Sequence, residues 1–275
     1  MKELEIIIVT YNSKEIIGSS LSEFCNSDKY DVIVVDNAST DGTAEYIIQN
    51  FPQVRLIRNS INQGYGRACN VGFKNSNAPY TLLLNPDVIT NEANILKLLH
   101  TAKTLNNSVI SAPVVDKEEH IEGSLVITED VEWVVGAAML FNMKLLREIG
   151  LFDENIFLYY EETDLCKRAL SAGYKITKCK NILMNHLVGK SSIQNTKTEY
   201  LKYWHSAWSK FYYNRKHFKN HKAKNLKLVF KYALKKVIYS FANKNKLKYN
   251  ARFAGAIAFI KGKPAFSESG KPNGL

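Results

Sequence analysis

No uninterrupted apolar run in this chain approaches the roughly 20 residues that cross a bilayer. Nothing at the amino end resembles a signal peptide, because Met1-Lys2-Glu3-Leu4-Glu5 leads straight into a strand-like run. Cysteine is scarce: Cys25, Cys69, Cys166 and Cys179 lack the close pairing of zinc sites, and four reduced thiols in an intracellular protein, none of them catalytic, is the simplest account. The glycine-rich nucleotide fingerprints are missing too. Tyr11-Asn12-Ser13-Lys14 follows the first strand without a glycine, no G-x-x-x-x-G-K-[ST] occurs, and Gly64-Tyr65-Gly66 stands after the third strand without the rest of the pattern. Dehydrogenase and P-loop NTPase chemistry fall behind on that ground. There is no internal repeat and no low-complexity segment. Finally, acids nearly vanish from the last third: from Asn195 onward 19 Lys and Arg face only Glu199 and Glu268.

That last scarcity divides the chain. It carries 37 basic and 26 acidic residues in all, so Met1–Gln194 holds 18 and 24 and is mildly acidic at −6, while the tail stands at +17. Such a split suggests a catalytic or binding domain joined to a segment that seeks anionic surfaces. With 275 residues and 45% hydrophobic content there is room for one large domain or a domain with an appendage.

The first part alternates strands and helices. Leu4–Thr10 and Asp31–Asp36 are β-branched runs suited to central parallel strands, and Val54–Ile57 and Tyr80–Leu84 continue the series. Helices are expected from about Asn12 or Ser13 to Phe24, over Ala44–Asn50 and within Asn62–Asn75. Further on come a helix over Glu92–Leu105, a strand over Val109–Val115, an apolar run over Val131–Phe141, a short helix over Asn142–Gly150 and a helix over Leu165–Ala172. Tyr174–Cys179 and Ile182–His186 are the last strand candidates. The expected class is α/β, with right-handed βαβ units and a mostly parallel sheet.

In such sheets ligands bind beyond the carboxyl ends of the strands. Asp36 closes the second strand, Asp41 lies in the turn after it, and Asp87 follows Leu82-Leu83-Leu84-Asn85-Pro86. Neighbouring strand ends would bring the three to one rim. There Asp36 could accept hydrogen bonds from a base or ribose, and Asp87 could hold a divalent cation on a diphosphate. Taken singly, each of Asp36 and Asp41 is more readily explained as a cap of the following helix.

The combination resembles a known family. Val9-Thr10-Tyr11-Asn12, Val34–Thr43, Asn62–Gly72, Leu83–Asp87, Gly136–Met139, Phe152-Asp153-Glu154, Tyr160–Arg168 and His186–Ser191 follow, in order, the motifs of the family 2 nucleotide-sugar glycosyltransferases. These have the GT-A fold, and the match is to their rhamnosyltransferase-like branch. The resemblance implies a GT-A domain over residues 1–195 and leaves 196–275 as a basic helical extension. It implies an inverting, metal-dependent transfer of a sugar from a nucleoside diphosphate to a hydroxyl of a surface-polysaccharide or lipid-linked saccharide. The branch points to dTDP-L-rhamnose, with a UDP-hexose as the alternative donor. A non-catalytic nucleotide-sugar-binding scaffold is the rival from another class.

The roles implied are carried by position. Thr10, Tyr11 and Asn12 would flank the base, Asp36 would hold base or ribose, and Asn62, Gly64 and Arg67 would shape the nucleotide pocket. Asn85 stands where the family's D-x-D motif has its first acid, which leaves Asp87 as principal ligand of a Mg2+ or Mn2+ ion. His186 would approach the metal or diphosphate, with Gly189 and Ser191 in a loop over it. Glu162 aligns with the catalytic base. Glu161, Asp164 and Gly136 fall beside it as acceptor-side or structural positions, Asp164 as a structural acid.

In the tail, Tyr200, Tyr203, Trp204, Trp208, Phe211 and Tyr212 share one helical stripe, and Leu226–Phe241 repeats the pattern with Lys227, Lys231 and Lys235 along its other side. Two uses are expected for these helices: packing on the domain or on another copy of the chain, and peripheral contact with an anionic membrane face, which in a cytoplasmic enzyme would be the inner one. No nucleic-acid motif accompanies the charge, so nucleic acid is not expected as a partner.

Overall fold

The computed structural model describes residues 2–115, 127–187, 195–240, 245–267 and 273, and these divide into two compact units. Unit 1 comprises Met1–Asn62, Arg67–Phe152 and Glu162–Ile193; unit 2 comprises Gln63–Gly66, Asp153–Glu161 and Gln194–Leu275.

Unit 1 is built on a sheet whose first half is parallel. The strands β1 (Leu4–Thr10), β2 (Tyr30–Asp36), β3 (Arg55–Arg58) and β4 (Tyr80–Leu84) lie in the order β3-β2-β1-β4, all parallel. The apolar runs of β1, β2 and β4 are buried on both faces, which is why they read as continuous hydrophobic stretches and not as alternating ones, while β3 at the end of the order is only partly buried. Ile6, Ile8, Val32, Val34, Leu82 and Leu84 enter one core layer together with residues of α1 (Lys14–Leu21), α2 (Thr43–Asn50) and α4 (Glu92–Thr104). Each such side chain contributes about 1.5–3 kcal/mol on burial. On the other face α3 (Tyr65–Lys74) packs close, since a Cβ at Gly72 would meet the Ile7 side chain at 2.6 Å. The Phe73, Phe141 and Phe152 rings form a mutual cluster there.

Beyond β4 the sheet turns mixed. The strand β8 (Ala138–Asn142) lies antiparallel between β4 and β6 (Ser108–Val115), and β6 runs parallel to β9 (Lys175–His186). The two-residue strand β5 (Val88–Ile89) and the short β7 (Thr128–Asp130) each pair antiparallel with β9. The two strand candidates 174–179 and 182–186 are one continuous strand. Its register against β6 slips at Pro113/Val114, so that Cys179 and Leu183 become successive partners and residues 180–182 bulge. Met143–Ile149 forms α5, capped by Asn142, whose side chain accepts from the Leu145 N–H, and ended by Gly150 at φ 82°.

Helix α6 (Glu161–Ser171) begins four residues before its expected start. It is braced by Arg168, which pairs with the fully buried Asp164 at 2.8 Å and donates to the carbonyls of Ile149, Gly150 and Leu151.

Unit 2 is helical: α7 (Thr196–His217), α8 (His221–Ser240) and α9 (Lys246–Ile260). The α7 stripe behaves as its spacing requires, with Trp204, Trp208 and Phe211 buried. The third helix was not foreseen. Its buried residues are Tyr249, Ala251, Gly255, Ala256 and Ala258, and the small ones among them allow the backbone of α9 to approach α7 closely while giving no strong apolar period. A Cβ at Gly255 would lie 2.3 Å from the Trp204 carbonyl oxygen.

Candidate functional site

The parallel registers fix one edge of unit 1. Thr10 lies opposite Asp36, and Ile8 opposite Leu84, so Thr10, Asp36 and the residues following β4 emerge at the same rim. Asp36 is 1% exposed. Its Oδ2 accepts from the Ser39 N–H at 3.2 Å, while Oδ1 is buried and has no hydrogen-bond partner among the described residues. A buried carboxylate oxygen left without a donor is costly in an isolated protein, and a ligand that donates to it removes the cost. Tyr11 stands exposed beside this rim. Asn12, at φ 53°, braces the loop after β2: its side chain accepts from the Thr40 N–H at 2.8 Å and its own N–H donates to Ser39 Oγ.

Asp41 serves the fold. It accepts from the backbone and hydroxyl of Thr43 and from the Lys14 N–H. Burial pushes its carboxyl up, but these bonds outweigh burial and hold it below the usual range. Asn62 joins an amide chain, with Asn37 donating to it at 3.0 Å and Asn59 donating to Asn37 at 3.1 Å. Arg67, in the first turn of α3, is half-buried in unit 1. Gly64 belongs to unit 2, where its left-handed backbone (φ 83°) allows a close approach to Phe157: an added Cβ would sit 2.4 Å from the Phe157 carbonyl oxygen, to which the Tyr65 N–H donates.

Asp87 lies in a tight corner. The Asn85 N–H donates to the Ala137 carbonyl, the Val88 N–H returns to the Asn85 carbonyl, and the Leu187 N–H donates to the Asp87 carbonyl. Pairing of Val88 with His186 brings the imidazole Nε2 to 3.2 Å from Asp87 Oδ1, with the aspartate fully buried. Among the described residues no cluster of three or more His, Cys, Asp or Glu could hold a metal. One carboxylate with one imidazole fits a cation that takes its other ligands from phosphate oxygens and water, the usual habit of Mg2+ in nucleotide sites. Gly189 and Ser191 lie outside the described residues.

Glu162, in the first turn of α6, is packed against Gly136: a Cβ placed there would touch its side chain at 3.6 Å. Gly136 precedes Ala137, whose carbonyl accepts the Asn85 N–H of the Asp87 corner. Burial raises the Glu162 carboxyl above the ordinary glutamate range, partly offset by the backbone N–H groups of Glu162 and Thr163. A carboxylate tuned upward in this way is suited to taking a proton near neutral pH. Asp164, two residues on, is held by Arg168, and Glu161 is buried at the margin of unit 2. The thiol of Cys166 near Glu162 is pushed up to about 12 by burial, and all four cysteines are free and buried.

Two features had no signal in the sequence. Tyr159 and Tyr160 sit consecutively in the left-handed region (φ 67° and 74°), a strained turn immediately before Glu161 of the kind that gathers at functional sites. Unit 2 also carries a cavity of about 710 Å³ lined by Tyr159, Asn195, Thr198, Lys202, Tyr203 and Arg252.

Residues 5–150 match the profile of glycosyl transferase family 2. The chain belongs to that family. A hexosyltransferase of low-salt glycan biosynthesis, Agl10 of Haloferax volcanii, is 26% identical over 228 residues, covering 73% of each chain. An N-acetylglucosaminyl-diphospho-decaprenol L-rhamnosyltransferase of Mycobacterium tuberculosis is 25% identical over 226 residues, covering 62% of this chain and 71% of the relative. This glycosyltransferase is therefore rhamnosyltransferase-like, at low identity. Its fold is GT-A: the structure of mannosyltransferase PcManGT from Pyrobaculum calidifontis, solved with GDP-Man and Mn2+, superposes with a TM-score of 0.62 over 95% of this chain and 88% of that one, at 14% identity.

Proposed function

We propose that this family 2 glycosyltransferase transfers a sugar, L-rhamnose from dTDP-L-rhamnose in the first instance, to a hydroxyl of a saccharide acceptor, with inversion. The observation that carries the reading is the pair of buried carboxylates on one sheet rim, Asp36 with an unsatisfied oxygen and Asp87 against His186. Asp36 would accept hydrogen bonds from the nucleoside, and Tyr11 offers an exposed ring against the base. Asp87 and His186 would hold a divalent cation; the Mn2+ bound in the archaeal mannosyltransferase supports that assignment. When bound, the ion supplies charge neutralisation for the leaving diphosphate.

Glu162 removes the proton of the acceptor hydroxyl as that oxygen attacks the anomeric carbon. One carbon–oxygen bond forms, the bond to the diphosphate breaks, the proton stays on Glu162, and the nucleoside diphosphate departs. A single displacement from the opposite face inverts the anomeric configuration. The mycobacterial relative acts on a lipid-linked diphosphate, which supports an acceptor of that type here.

The test is a donor panel of dTDP-L-rhamnose, UDP-hexoses and GDP-mannose, scored by release of nucleoside diphosphate in the presence of Mg2+ or Mn2+. Preference for dTDP-L-rhamnose is expected. Preference for a UDP-hexose would replace the donor and keep the reaction, and no turnover with any donor would overturn the reading.

A further inference from the structure

The helix α8 does not spend its apolar stripe on packing. Its buried residues are Asn225 and Tyr232, with Leu228 and Val229 partly buried behind them against α7 and α9. Asn225 anchors it, accepting from Asn214 and donating to the Phe211 carbonyl. Phe230 is 68% exposed, Leu234 62% and Val237 60%, and Leu226 and Ile238 are exposed with them. At 100° per residue these five share one stripe, centred opposite the face that packs.

The margins of the stripe are cationic on both sides. Lys236 falls toward the packed side with its Nζ over the Phe253 ring, while Lys227 and Lys231 lie along one edge of the stripe and Lys222 along the other, all of them exposed. Lys235 lies further in and donates to the Tyr249 hydroxyl. The sequence has no Asp or Glu between Glu199 and Glu268, so nothing nearby on the helix or its neighbours α7 and α9 neutralises these charges beyond the first turn of α7. The helix is also not apolar or long enough to cross a membrane.

We propose that α8 lies flat on an anionic phospholipid bilayer, with Leu226, Phe230, Leu234, Val237 and Ile238 in the interface and the flanking lysines among the headgroups. A helix with one apolar stripe, lysine margins and low overall hydrophobicity is the form that rests in an interface. A second copy of the chain fits this surface less well. Leu226 to Ile238 covers about 18 Å of helix, and a stripe about 10 Å wide offers roughly 200 Å². That is a quarter of the ~800 Å² per partner in a standard protein interface. Two such helices face to face would also set lysine rows against each other. A bilayer asks for no shape match and supplies the negative charge.

The experiment is co-sedimentation of the full chain with vesicles, run without donor or acceptor so that its result is independent of sugar transfer. Pelleting is expected with vesicles of 70% phosphatidylcholine and 30% phosphatidylglycerol, and at least tenfold weaker partition onto phosphatidylcholine alone. The double variant Phe230→Asp/Val237→Asp should lower partition onto the anionic vesicles at least tenfold while its thermal unfolding stays at the wild-type temperature, because both side chains are already exposed. Lys227→Gln/Lys231→Gln should lower it several-fold. In Phe230→Trp, anionic vesicles should blue-shift the emission beyond the shift of the parent. No pelleting with anionic vesicles, undiminished pelleting of the Asp variant, or a dimer in sedimentation equilibrium that the Asp variant abolishes would each overturn the proposal.

Discussion

Glu162 shows how a residue's surroundings set its use. A glutamate in water titrates near 4.3 and is a weak base at neutral pH. Here burial against Gly136 lifts it. If it is the base, the rate should fall as pH drops through that raised value, so the acid limb of the turnover profile should lie above the range of a free glutamate. Replacing Glu162 by Gln should cut turnover by roughly 10²–10⁴ and leave dTDP binding in calorimetry within about twofold. Unchanged turnover would remove Glu162 from this role. Its place in the Tyr160–Arg168 motif was legible in the sequence. Its contact with Gly136 was not, because 26 residues separate them and only the packing of α6 on the strand region brings them together. Asp36 illustrates the opposite limit: one oxygen accepts from the Ser39 N–H in the turn before α2, whose N-cap is Gly42, so it is not the helix cap that its position also allowed, and the other oxygen is what distinguishes it.

Among the elements, two depend on single residues. In α6, Arg168 neutralises the fully buried Asp164 and closes three carbonyls. Arg168→Met removes the cation paired with that buried carboxylate, at about 3–5 kcal/mol, which chemical denaturation should read as a lowered midpoint. In the α7–α9 pair, Gly255→Ala puts a methyl 2.3 Å from the Trp204 carbonyl oxygen, and backbone cannot yield as a side-chain tip can. A loss of about 1–3 kcal/mol is expected, seen as a lower melting temperature by circular dichroism. The strands β1, β2 and β4 were legible because both their faces are apolar, and α7 because large aromatics mark its stripe. The helix α9 escaped because contact through Ala and Gly leaves no periodic hydrophobic signal, and β5 and β7 are too short to carry one.

At the scale of the whole molecule, the division into an acidic first part and a basic tail follows from counting charges. The inclusion of 63–66 and 153–161 in the helical unit does not, since these segments look like ordinary loops in the sequence. Stability against pH is also a property of the folded whole. His205 is fully buried, stacked on Phe157 with ring centroids 4.6 Å apart and edge-on to Trp204, and neither ring nitrogen has a hydrogen-bond partner among the described residues. Burial lowers its pKa to about 3. The unfolded chain therefore binds a proton there that the folded chain refuses. The stability is full above about pH 6.5 and is lost as pH falls from there toward 3, by about 2 kcal/mol at pH 5. Urea titrations at pH 7.5 and 5 should show this loss in the parent and a smaller one in His205→Phe.

The antiparallel strand wedged between β4 and β6 has a consequence in time. The ribosome delivers β1 to β4 in sequence, and their parallel pairing needs nothing further. The partner that covers the far edge of β4 begins only at Ala138, and at 5–20 residues per second that edge waits roughly 3–11 s. The β6–β9 pair that finishes the sheet waits longer still. For that interval the nascent chain presents a bare row of backbone donors and acceptors flanked by Leu82, Leu83 and Leu84, a natural client for a holding chaperone and the point at which overexpression would first turn to aggregation.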